Sequence, residues 1–336
     1  MAALFTIEER FTYEIVRKIS EGGMGIVYEA AQLGAQDFRK RVAIKIIRDQ
    51  FASQKMFIDN FIGEAKLVAD LIHTNIVQTY HLGAAKGAYF ITMEYINGVN
   101  LEQFLNQLLA KKRRLPVELA VFIASRIARG LAYAHAKTDA DGRSLGIVHR
   151  DINLKNIMIA FEGDVKITDF GVAKARGFLT HQEGEVAVGK PDYMSPEQAD
   201  FQITDARSDI FSTGVVLLTL LLSRNPFKGS SSEESRQNVI HQKLPPYHEL
   251  DSRIDEDLSR ILAWTLDRDV KTRCQTAGKL RDALEFYIYH EGLGPTNETL
   301  GEYVRQLFGQ VSPETMASSK GGTQMLEHTA RVRRGK

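Results

Sequence analysis

The sequence predicts an α+β protein in which a small, strand-rich lobe precedes a larger helical one. Apolar runs of strand length fill residues 11–47 and 76–95, separated by turns containing glycine. From residue 101 onward, apolar side chains recur at three- and four-residue spacing, the period of helices. The chain has 336 residues and 43% hydrophobic content, enough for about two lobes and a sizeable core.

Taken in order, residues 11–16, 26–28 and 42–47 read as strands, with glycines at 22, 23 and 25 between the first two. Ser53 is placed to cap a helix reaching Ile72, with Phe57, Phe61, Ala65, Val68 and Ile72 along one face. Residues 76–82 and 88–95 read as further strands, after which Gly98 punctuates the chain. Helical patterns then cover residues 101–109, 116–135 (with Pro116 in the first turn), 205–223, 258–290 and 299–308. Residues 138–146 read as a surface hairpin or loop, residues 230–235 as a solvated loop, and the run of basic residues at 111–114 as a solvated face. Residues 1–10 form an N-terminal extension, residues 291–310 a helical extension, and residues 311–336 a basic tail expected to be disordered.

Lys and Arg total 43 against 42 acidic residues, so the net charge of +1 gives no global basic field. A nucleic-acid partner or a polybasic membrane contact is not expected from that balance. The single cysteine, Cys274, excludes an internal disulfide and fits a reducing compartment. The longest strongly apolar run, residues 215–222, is interrupted by Thr219 and falls far short of the ~20 residues that span a bilayer. Glu8 and Glu9 make residues 1–10 unlike a signal peptide. The expectation is a soluble, cytoplasmic protein with no membrane segment in this chain.

Chemistry enters with three groups of residues. Gly22, Gly23 and Gly25 allow backbone amides to approach phosphate oxygens, although a tight hairpin turn would use the same residues. Lys45 interrupts an apolar strand, where an unpaired ammonium is costly to bury. It is either an edge lysine reaching water or the partner of Glu64 on the following helix. Asp151, Asn156 and Asp169 then place three oxygen-bearing side chains on short loops, the ligand type that hard divalent cations share with substrate phosphates.

In this order the elements resemble those of the eukaryotic-like protein kinase family, in its bacterial Ser/Thr branch. The resemblance spans about residues 11–290. It rests on Ser20-Glu21-Gly22-Gly23-Met24-Gly25, Val42-Ala43-Ile44-Lys45, Glu64, His149-Arg150-Asp151 to Asn156, and Asp169-Phe170-Gly171. Tyr193-Met194-Ser195-Pro196-Glu197, Ser208-Asp209, Gly214 and Arg273 complete it. It implies a bilobal protein kinase fold, a β-rich N-lobe at 11–96 with one main helix and an α-helical C-lobe at 97–290. It implies ATP and Mg²⁺ (or Mn²⁺) as cofactors, protein substrates, autophosphorylation and a homodimer that supports it. Ser20, Gly22, Gly23 and Gly25 would cover the ATP phosphates, and Lys45, held by Glu64, would contact them. Val27, Ala43 and Met158 would sandwich adenine, with Met93 as gatekeeper and Glu94, Ile96 and Asn100 completing the nucleotide site. Asp169 and Asn156 would hold the metal, and Asp151 would orient and deprotonate the acceptor hydroxyl. Glu197 would pair with Arg273, and Asp209 would brace the catalytic loop.

Four positions depart from that pattern. Ser20 replaces the first loop glycine. Asn153 stands where a lysine usually follows the catalytic aspartate, and Lys190 where a threonine usually bonds both. Lys190 or Lys155 is therefore expected to reach the γ-phosphate or Asp151 in place of the missing lysine. In the activation segment, Arg150 would ordinarily meet a phosphorylated residue. Thr180 is the one threonine between 172 and 194, and Glu183 and Glu185 are expected to stand in partly for phosphate. Ser/Thr phosphorylation is the expected reaction. The rivals are an ATP-binding pseudokinase scaffold, a small-molecule phosphotransferase, and a tyrosine kinase suggested by Lys155.

Overall fold

The computed structural model describes residues 3–22, 25–48, 51, 54–85, 87–170 and 190–310, with positions 56, 60 and 64 described in backbone alone. The N-terminal lobe is one antiparallel sheet of six strands: β1 (Phe5–Glu8), β2 (Thr12–Glu21), β3 (Gly25–Leu33), β4 (Arg39–Ile47), β5 (Thr79–Ala85) and β6 (Ala88–Glu94), in the order β1-β2-β3-β4-β6-β5. Alternation decides its faces: Tyr13 and Ile15 of β2 and Val42 and Ile44 of β4 are wholly buried on one side. The other side takes Ala43, Ile47, Ile91 and Met93 together with Phe61 and Ala65 of helix α1 (Lys55–Val68).

The N-terminal extension contains β1, which pairs with β2 from Phe5 opposite Ile15 to Glu8 opposite Thr12. Two local expectations are corrected. Helix α1 begins after Gln54, with Ser53 outside the described residues, and stops at Val68. The Leu71 amide bonds the Val68 carbonyl in a turn, which puts Leu71 in the core and leaves Ile72 66% exposed. The supposed solvated loop at 230–235 instead opens a helix. Ser231 accepts the Glu234 amide, an N-cap whose serine and following acidic residues are helix-start signals as much as loop signals.

The C-terminal lobe joins a three-stranded sheet, β7 (Gly98–Asn100), β8 (Ile157–Ala160) and β9 (Val165–Ile167), to a set of helices. These are α2 (Leu101–Ala110), α3 (Val117–His135), α4 (Pro196–Ala199), α5 (Ala206–Leu222), α6 (Ser232–His241), α7 (Tyr247–Leu250), α8 (Glu256–Thr265), α9 (Ala277–Tyr289) and α10 (Asn297–Phe308). Asp205 caps α5, and every side chain from Ser208 to Leu222 is buried, so this helix is the axis of the lobe. No described helix is long and apolar enough to cross a membrane.

Helix α10 is bound into this lobe. Leu300, Val304 and Leu307 are fully buried, Arg305 donates to the Phe161 carbonyl (2.6 Å), and Gln107 of α2 donates to that of Leu307 (3.2 Å). The approach needs glycine on both sides. Gly163 has φ +98°, and a Cβ there would stand 1.7 Å from the Asn297 carbonyl oxygen. A Cβ on Gly301 would stand 2.7 Å from the backbone carbon of Glu162. Helix propensity alone makes Gly301→Ala stabilising by about 1 kcal/mol. Backbone contact reverses the sign, so G301A is expected to lower the melting temperature. Leu300→Ala is expected to cost about 2–5 kcal/mol in urea unfolding, the scale for a fully buried leucine. A rise in melting temperature for G301A would mean that α10 is loosely docked.

Candidate active site

The cleft between the lobes is built from β4 outward. Lys45 lies opposite Val27 on β3 and Ile91 on β6, and its Nζ donates to Asp169 Oδ1 at 2.9 Å. The side chain is 12% exposed, so the ammonium is largely removed from water and needs this carboxylate. The Glu64 backbone lies on α1, and its side chain is outside the described residues. The Gly22 amide donates to the Gly25 carbonyl (2.9 Å), closing the turn between β2 and β3, while Gly23 lies outside the described residues. Ser20 pairs with Val27 after a register shift in β2.

Beneath this turn, Ala43 pairs with Met93, and Val27 packs in the same cluster. Met158 lies opposite Asn100 in the lower sheet. Residues 95–97, including Ile96, link the lobes. Glu94 is tied to β9 by Lys166 at 3.0 Å. The Asn100 side-chain oxygen accepts the Gln103 amide at 2.8 Å and so serves as the N-cap of α2. Behind Met93 a cavity of about 20 Å³ is lined by Val68, Val77, Thr79, Ile91 and Phe170.

Below the cleft, the buried Asp209 carboxylate organises the catalytic loop. Oδ2 accepts the His149 amide (2.8 Å) and pairs with His135 Nε2 (2.8 Å), and Oδ1 accepts the Arg150 amide (2.7 Å). Burial opposes the ionised form, yet the His135 hydrogen bond and the His149 amide hold the Asp209 carboxyl below its ordinary pKa. Arg150 has φ 61°, and its carbonyl accepts from Gln198 Nε2 at 3.0 Å.

Asp151 is held from two sides. Asn153 Nδ2 donates to its Oδ1 (3.1 Å) and Asn156 Nδ2 to its Oδ2 (2.9 Å), and both also donate to its backbone carbonyl (2.9 Å each). The Asn156 amide protons are thus committed to Asp151, and its Oδ1 is the oxygen available to a hard cation. Asp169, with φ 55°, is the second such donor. Burial raises its pKa, but the Lys45 charge and hydrogen bond outweigh that and hold it below the usual carboxylate value. Among the described residues no three His, Cys, Asp or Glu side chains converge to cage a metal. A carboxylate and an amide oxygen fit instead a Mg²⁺ site that is completed by water and phosphate.

The two lysines expected to replace the missing one both meet Glu102. Lys190 Nζ donates to Glu102 Oε1 (2.8 Å), and Lys155 Nζ lies 3.6 Å from Glu102 Oε2. Thr180, Glu183 and Glu185 lie outside the described residues. Glu197 and Arg273 form the expected pair, with two bonds of 2.7 and 2.9 Å, fully enclosed by protein. Sequence reasoning missed Glu102, His135 and Gln198, which reach the site from positions remote in the chain.

His149 Nε2 bonds the Thr168 carbonyl (3.0 Å), so Nε2 carries the proton, and Nδ1 accepts the Asp151 amide (3.2 Å). A second proton on Nδ1 would face that N–H, and burial already pushes the His149 pKa down. The unfolded chain, with a histidine pKa of about 6.5, takes up the proton first as pH falls. Stability is therefore present above that value and lost below it. His73 adds to this, since burial lowers it too. The melting temperature is expected to drop between about pH 7.5 and about pH 5.5, with a shallower slope in His149→Phe. Equal slopes would show that His149 does not carry the effect.

Comparison with known proteins agrees with this geometry. The family described as protein kinase domain matches residues 13–284. The tyrosine-protein kinase MasK of Myxococcus xanthus is 36% identical over 298 residues, which are 89% of this chain and 46% of that protein. The serine/threonine-protein kinase PrkC of Bacillus subtilis is 34% identical over 265 residues, 79% of this chain and 39% of that protein. The chain thus spans less than half the length of these relatives. A crystal structure of the Mycobacterium tuberculosis PknI kinase domain superposes with TM-score 0.62 at 21% identity, covering 85% of this chain and 97% of that one, which supports the bilobal fold. The chain, with its ordered lysine, catalytic-loop and Asp-Phe-Gly elements, belongs to the protein kinase family, in the eukaryotic-like branch found in bacteria.

Proposed function

We propose that this chain transfers the γ-phosphoryl group of ATP to serine or threonine hydroxyls of protein substrates, and of a second copy of itself. The observation that carries this is the Asp151 carboxylate, fixed by Asn153 and Asn156 in the same loop system that sets Asp169 against Lys45. Phosphoryl transfer asks a protein mainly for positioning and charge neutralisation. Lys45, with Glu64 as its proposed partner, would hold the α- and β-phosphates beneath Gly22, Gly23 and Gly25. Val27, Ala43 and Met158 would enclose adenine, and the backbone at Glu94 and Ile96 would bind its edge. Asp169 and the Asn156 oxygen would hold Mg²⁺ or Mn²⁺, which supplies neutralising charge at the phosphates.

Asp151 accepts the acceptor hydroxyl proton as that oxygen bonds to the γ-phosphorus and the bond to the bridging oxygen of the leaving ADP breaks. Asn153 takes the bracing part of the usual lysine, through its bonds to the Asp151 carboxylate and carbonyl. The catalytic unit is taken as residues 11–290, with 291–310 as an extension. Its use of ATP and its lone, buried Cys274 fit a cytoplasmic setting.

A second acceptor, tyrosine, is favoured by one observation: the first basic residue after Asp151 is Lys155, four positions on, not a lysine at 153. The chain incubated with labelled ATP and Mg²⁺ is expected to incorporate phosphate on serine or threonine. Asp151→Asn is expected to lower the rate by about 10²–10⁴, the usual contribution of a general base. Label confined to tyrosine would move the assignment to the second acceptor, and full activity in D151N would reject Asp151 as the base.

A further inference from the structure

Glu102 sits in the first turn of α2, where the Asn100 cap fixes the helix start. It meets two ammonium groups from separate parts of the chain, Lys155 from the turn just after Asp151 and Lys190 from the segment leading into α4. One carboxylate cannot neutralise two ammonium groups, so the cluster keeps about one positive charge, and its Lys155 stands in the chain between Asn153 and Asn156, which both bond Asp151. The two partners are unequal. Lys190 is 33% exposed, bonds Glu102 at 2.8 Å and lies 5.9 Å from the Tyr193 ring centre. Lys155 is 56% exposed and only loosely engaged at 3.6 Å, so its charge is the accessible one.

Among the described residues, the other acid near Lys190 is shared with a further cation. Asp192, close to Lys190, accepts from Asn225 Nδ2 at 3.1 Å and also faces the exposed Lys228. Because Lys155 lies between two residues that bond Asp151, its charge is within reach of a segment that delivers a hydroxyl there. Resting on the kinase reading above, we propose that Lys155, Glu102 and Lys190 form a recognition site for an anionic group on the acceptor segment. That group is a carboxylate side chain or a phosphate already in place, flanking the residue to be modified. Glu102 is a positioning residue: it gathers the two lysines and sets how much charge is left over.

The test uses the full chain, ATP, Mg²⁺ and peptides with one acceptor hydroxyl. Each flanking position in turn is made Glu, phosphoserine, Gln or Lys. At one or two positions, Glu or phosphoserine is expected to raise kcat/KM over Gln by about five- to tenfold, the scale of one or two exposed ion pairs, and Lys to lower it. The response to Glu against phosphoserine tells which source the site takes.

Lys155→Glu is expected to reverse the preference and Lys155→Arg to retain it. Glu102→Gln removes the neutralising carboxylate and is expected to sharpen the preference, whereas a merely structural Glu102 would lower all peptides alike. The change is expected mainly in KM. The proposal is overturned if flanking charge leaves kcat/KM unchanged. It is equally overturned if Lys155→Ala and Lys190→Ala cut kcat by one factor on every peptide, which would assign the lysines to the transferring phosphoryl group. Absence of transfer to every peptide and to the chain itself would remove the kinase reading, and this inference with it.

Discussion

Asp209 is buried on the central helix of the C-lobe, far from any compensating solvent, and its two oxygens take up the His149 and Arg150 amides and the His135 ring. An isolated carboxylate in that position would cost several kcal/mol, so the acid and its donors are stable only as a set. The catalytic loop therefore inherits its position from α5. Arg150 shows the consequence, since its left-handed backbone would cost about 1–3 kcal/mol in isolation. Here the amide is held by Asp209 and the carbonyl by Gln198, and these two bonds offset the strain. The next residue in the chain is Asp151, so strain held upstream becomes precision at that carboxylate.

The same economy recurs at the other end of the substrate platform. Arg273 is buried with Glu197, and its remaining donors reach the carbonyls of Asp267 and Arg207. That pair ties the short helix α4, and with it Gln198, to the segment leading into α9. Gln198 thus depends on a buried ion pair on one side and supports the Arg150 carbonyl on the other. Breaking one partner of such a pair is far more harmful than replacing both, because the survivor is left charged and dry.

Much of this was legible in the sequence where a local pattern carried it. The Lys45 strand, the His149 to Asn156 loop and Asp169 appear in order, and a lysine inside an apolar strand already demands a carboxylate. That demand is met here by Asp169, 124 positions away. What stayed hidden was non-local or depended on a single contact. Nothing near Glu102 announces that Lys190, 88 positions on, will bond it. Helix α1 ends before its apolar period does, because a turn brings Leu71 inward in place of Ile72. The serines at 230–235 satisfied two rules at once, loop composition and helix capping, and tertiary packing of Val239 decided between them. Gly163 and Gly301 look incidental in a one-dimensional reading and are the reason α10 can touch the lobe.

The space behind Met93 has a consequence for chemical inhibition. At about 20 Å³ it is close to the volume that one water needs, and Phe170 and Ile91 form part of its wall. A compound that extends an aromatic ring past Met93 must first move Met93 or Phe170, and it forfeits the contacts that those side chains make. Selectivity gained in that depth would have to be gained against the packing of the protein itself.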